Sequence, residues 1–70
     1  MDITRCHEWI HTLATDNIKM RAIINNTHLP SDMRYQAVII EEQNLELIVR
    51  YVELIKTKQN ENIHSYNPKD

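Results

Sequence analysis

Seventy residues make one small domain. With no glycine, two prolines and one cysteine, the chain has poor means for tight β-hairpins, phosphate-cradling loops or an internal disulfide framework. Eight basic and ten acidic side chains leave a net charge of -2, and no Lys/Arg cluster offers a surface for nucleic acid.

The N-terminal segment Met1-Asp2-Ile3-Thr4-Arg5 is not a basic region leading into an apolar run, so it does not read as a secretion signal. Ile3, Cys6, Ile10, Leu13, Asn17, Met20, Ile24 and Thr27 then recur at alternating spacings of three and four, the rhythm of a helix packed lengthwise on a partner. The spacing predicts a first helix over about residues 3–26. Asp2 or Thr4 is the expected N-cap, and Asn25 or Asn26 the expected left-handed C-terminal residue. One continuous helix is the simplest account; the alternative is a break at Thr15-Asp16-Asn17, because all three residue types favour caps over helix interiors.

A short loop at 27–31 follows. Pro30 stops the first helix, Ser31 reads as the next N-cap, and Asp32 supplies a negative charge to the first turn. A second helix is expected to about Gln59, which closes a single hairpin domain over 1–59. The polar, Pro68-containing stretch 60–70 reads as a flexible tail. The longest unbroken apolar run, Ala37 to Ile40, is far too short to cross a membrane. With one cysteine and no leader, a cytoplasmic location is expected.

At 100° per residue the first helix keeps its apolar stripe within about 140°, enough for one neighbour, whereas the second is apolar over about 220°. A lone antiparallel partner does not shield that arc. The reading is therefore an all-α antiparallel hairpin that pairs with itself as a homodimeric four-helix bundle, with Val38, Leu45, Ile48, Val52 and Ile55 as the dimer interface. Four polar residues interrupt the apolar faces: Asn17 and Arg21 on the first helix, Glu41 and Asn44 on the second. If the hairpin pivots near Leu29 they share one layer, where a carboxylate and a guanidinium withdrawn from water need each other. Such a layer can fix helix register.

One motif carries catalytic chemistry. His7-Glu8-Trp9-Ile10-His11 fits H-E-x-x-H, in which two histidines one turn apart hold zinc and the glutamate activates a metal-bound water. Over these five positions the chain resembles the zinc metallopeptidases. That resemblance implies a metal site at His7 and His11, but those enzymes also use a third protein ligand and a strand edge for substrate, and neither is readable here. The expected function is non-enzymatic and without a cofactor: a small regulator that binds and modulates a larger protein through a helical surface. The alternatives are a metal-binding or metallopeptidase-like protein using His7, Glu8 and His11, and a nucleic-acid-associated regulator.

Overall fold

The computed structural model describes residues 2–66, with side chains to residue 61. Two helices, α1 (Ile3–Asn25) and α2 (Ser31–Tyr66), lie antiparallel along one another. The molecule is a rod of 62 × 16 × 15 Å.

Asp2 begins α1. Its carbonyl accepts the first helical bond from the Cys6 N–H at 3.1 Å, and its Oδ1 accepts from the Arg5 N–H at 2.8 Å, satisfying a donor with no partner inside the helix. α1 is one continuous helix, as the spacing predicts, and the alternative of a break at Thr15-Asp16-Asn17 is not realised. Asp16 and Asn17 engage Asn44 on α2, so their side chains are not competing for their own backbone, which is what makes these residue types helix breakers.

The turn also differs from expectation. Among the described residues none has positive φ. Asn26 leaves α1 in an extended conformation (φ -87°, ψ 96°), and its Oδ1 accepts from the His28 N–H at 3.1 Å. This side-chain turn, with a Leu29 N–H to Asn26 carbonyl bond of 3.1 Å, reverses the chain without a left-handed residue. Nor is Ser31 the cap. The Pro30 carbonyl accepts from the Arg34 N–H at 3.2 Å, so Pro30 takes the capping position and Ser31 is the first helical residue. Asp32 Oδ1 then accepts from the Met33 N–H at 3.0 Å.

At the far end α2 runs to Tyr66, past the expected stop at Gln59. Residues 60–66 are mostly polar but contain no proline or glycine, and the first strong stop in the sequence is Pro68, which disfavours helix at the residue before it. The part of the expected tail at 67–70 lies outside the described residues.

The seam is narrow. Cys6, Leu13, Ala37 and Ile55 are its buried apolar side chains, joined by buried Asn44. On α2 the inward positions Arg34, Ala37, Glu41, Asn44, Ile48, Tyr51, Ile55 and Lys58 alternate by three and four, matching the rhythm of α1, so the two helices meet along one strip each. This assigns different weights to apolar side chains on the same helix. Leu13→Ala is expected to lower the unfolding free energy by about 2–4 kcal/mol, whereas Ile18→Ala, at a site 72% exposed, should stay within about 0.5 kcal/mol. Urea denaturation followed by circular dichroism at fixed protein concentration checks both.

Candidate interaction surface

The polar residues inside the seam form one connected layer. Asn17 Nδ2 donates to the Glu41 carbonyl at 3.3 Å. Asn44 Nδ2 donates to Asn17 Oδ1 and to Asp16 Oδ2, each at 2.8 Å. Arg21 pairs with Glu41 Oε1 at 2.7 Å; the guanidinium side chain is 57% exposed and the carboxylate side chain 14%. Thus Asn17, Arg21, Glu41 and Asn44 come together, as sequence levels across a hairpin require. Asp16 is the member that sequence reasoning missed. Its signal was its level: residues whose numbers sum to about 60 face each other here, as Trp9 and Tyr51 do, and 16 lies opposite 44.

On one side of the seam Arg34 Nε donates to the Ile24 carbonyl at 3.1 Å, tying the start of α2 to the end of α1. On the other, Trp9 and Tyr51 lie nearly parallel, 7° between ring planes and 6.5 Å between centroids, an offset stack. These contacts orient the two broad faces of the hairpin. One face carries the Arg21–Glu41 pair and, from α2, Val38, Leu45, Val49 and Val52. The other carries the Trp9–Tyr51 stack and, from α2, Met33, Ile40, Leu47 and Leu54.

Both faces keep apolar surface in contact with solvent. Leu45 and Val49 are 51% and 55% exposed, and the four residues of the opposite ridge range from 37% at Ile40 to 50% at Met33. Of the residues expected at a dimer interface, Ile55 is already buried by the chain's own α1, at 8% exposure, and Ile48 is half-buried on the same inward row. Val38 and Val52 are half-buried, and Leu45 is open. The ridge at 33, 40, 47 and 54 was only partly read from the sequence: Ile40, Leu47 and Leu54 counted toward the wide apolar arc, while their unbroken interval of seven with Met33 went unused.

The two faces differ in their edges. Continuing around α2 away from the seam, the Val38–Leu45–Val52 face runs into Glu42, Glu46 and Glu53, with Glu46 loosely paired to Arg50 at 3.5 Å. The Met33–Leu54 ridge runs into Gln36, Gln43, Arg50 and Thr57 instead. One edge is acidic, the other close to neutral.

No protein-family model matches this chain, and neither do any curated protein or solved structure.

His7, Glu8 and His11 all sit on the exposed side of α1. Among the described residues no group of three or more His, Cys, Asp and Glu is placed to hold a metal ion. The α2 residues level with the histidines are Glu53 and Val49, both exposed on their own helix, and Glu53 is not brought into a three-donor group with them. Cys6 is fully buried in the seam and turned away from the pair. Calorimetric titration with zinc near neutral pH is expected to give no saturable binding; stoichiometric uptake that disappears in His11→Ala would instead establish a two-histidine site.

The polar layer makes a sharper prediction. Asn44→Ala strands acceptors on Asp16 and Asn17 at a buried position and should cost about 1–3 kcal/mol. Arg21→Ala removes a largely solvated partner and should cost about 0.2–1 kcal/mol. Equal losses in the two variants, measured by chemical denaturation, would contradict this division.

Proposed function

We propose that this protein acts by occupancy: a non-enzymatic regulator whose helical surface docks on a larger protein and modulates it. The observation that carries this reading is the Val38–Leu45–Val49–Val52 face with its acidic edge. Its apolar centre supplies the area that drives association, and Glu42, Glu46 and Glu53 supply the selection. A partner suited to it presents apolar side chains flanked by Lys or Arg, such as a basic amphipathic helix that lies along α2.

A helical surface favours such a role, because a segment that is already helical before docking loses less conformational freedom than a disordered one. No step of the mechanism needs a cofactor or a bond-making residue. Modulation follows from what the partner's covered surface can no longer do.

Affinity capture from the source cells, with wild-type protein and Val49→Arg side by side, tests the reading. The expected result is a basic protein partner retained by wild type and lost with Val49→Arg. Retention should weaken as ionic strength rises from about 0.05 to 0.5 M, because exposed charge pairs are screened. Recovery of nucleic acid, or of proteins held equally by both baits, overturns it.

A further inference from the structure

The hairpin exposes more surface than its mass warrants. Its accessible area is 5686 Å², whereas a compact protein of 8.4 kDa has about 4,600 Å². The excess, about 1,000 Å², is that of a thin rod, 62 × 16 × 15 Å, beside a compact body of equal mass. Among the described residues the buried apolar core is four side chains, two of them the small residues Cys6 and Ala37. That is little apolar burial for two helices of this length to set against the entropy of ordering them.

We infer that a second copy of this chain covers the Met33–Ile40–Leu47–Leu54 ridge, making a symmetric dimer through the face that carries Trp9 and Tyr51. The ridge is self-complementary. Four large apolar residues at intervals of seven read the same in both directions, so two α2 helices packed antiparallel about a two-fold axis level with Gln43 and Asn44 meet apolar to apolar throughout. Met33 then lies opposite Leu54 of the partner subunit, and Ile40 opposite Leu47 of the partner subunit.

Along α2 the ridge edge is the less charged of the two: the same register sets Arg50 opposite Gln36 of the partner subunit and Gln43 opposite its own copy, while on α1 Asp16, level with the axis, comes near its own copy and keeps its bond to Asn44. Pairing the Val38–Leu45–Val52 face on itself would instead bring Glu42 and Glu46 within about a turn of the same residues on the partner, a costly juxtaposition. Hence the self-contact lies on the side of α2 away from the Val38, Leu45 and Val52 set named from the sequence. α1 contributes less to the contact: Trp9 and Ile23 flank Asp16 there, and Asp16 is held to Asn44. The inference does not depend on the existence of the basic partner proposed above.

The only tryptophan of the chain, Trp9, stands on the proposed face at 44% exposure, so the wild-type protein reports its own assembly. Light scattering is expected to give about twice 8.4 kDa. Dilution to the monomer should red-shift the Trp9 emission and increase its quenching by acrylamide while far-ultraviolet dichroism stays helical. Leu47→Glu should raise the dimer Kd by at least about 30-fold, and Leu45→Glu should leave it unchanged. A helical wild-type monomer at all concentrations overturns the inference. So does a dimer weakened by Leu45→Glu and not by Leu47→Glu. If Leu47→Glu does not fold, the wild-type dilution series decides alone: a dimer whose Trp9 signal is the same before and after dissociation refutes the assignment of this face.

Discussion

Two helices laid side by side cover only the strip along which they touch, and everything distinctive about this molecule follows from that constraint. On α1 the strip takes Cys6 and Leu13, which are buried, with Ile3, Ile10, Met20 and Ile24 half-buried beside them, and leaves Trp9 and Ile18 as the large apolar side chains in contact with solvent. On α2 it uses Ala37, Ile48 and Ile55 and leaves two further apolar rows beside it. The asymmetry is written in side-chain spacing, because a helix presents residues three, four and seven apart on neighbouring rows. α1 is built for one neighbour, α2 for more than one.

The polar layer gives that seam its definition. A strip of Ile, Leu, Val and Ala could slide by a turn at modest cost, since apolar contacts are non-directional. Asn44 cannot slide. Its amide donates to both Asp16 and Asn17 at 2.8 Å, and a shift of one turn would leave the buried amide and those two half-buried acceptors unpaired. The Arg21–Glu41 pair contributes less, because the guanidinium keeps most of its solvent. Register is thus held by the amide network at the centre, with the Arg34 to Ile24 carbonyl bond and the Trp9–Tyr51 stack securing the two ends.

Much of this was legible in the sequence, and the misses have physical causes. The absence of glycine and the three-four rhythm from Ile3 to Ile24 were enough for a helical hairpin with its turn at 27–31. The convergence of Asn17, Arg21, Glu41 and Asn44 followed from counting outward from the turn. Asp16 was misread because helix propensity describes an isolated strand of helix, where its carboxylate competes for backbone donors; across the seam it has a better partner. The ends of the turn were misread for a related reason. Asn26 reverses the chain through its side-chain oxygen, and Pro30 stands at the position before the helix, its carbonyl accepting the first helical bond, so residue type alone named the wrong positions. The far end of α2 was set too early because polarity was taken as a stop, whereas only a residue that cannot adopt helical geometry is one.

The two remaining faces of α2 are not equivalent, and their difference organises the proposed function. An apolar row edged by Gln and a single Arg suits a copy of itself, because symmetry sets every group against groups of the same edge and only a near-neutral edge tolerates that. A row edged by three carboxylates is repelled by its own copy and attracted by a basic stranger. Under the proposed pairing the acidic faces point outward on opposite sides of the dimer, so one assembly offers two identical docking surfaces. Two such surfaces on one rigid body raise the effective affinity for any target that displays its basic helix more than once. The surplus apolar girth of α2 is then divided between holding the assembly together and choosing what it binds.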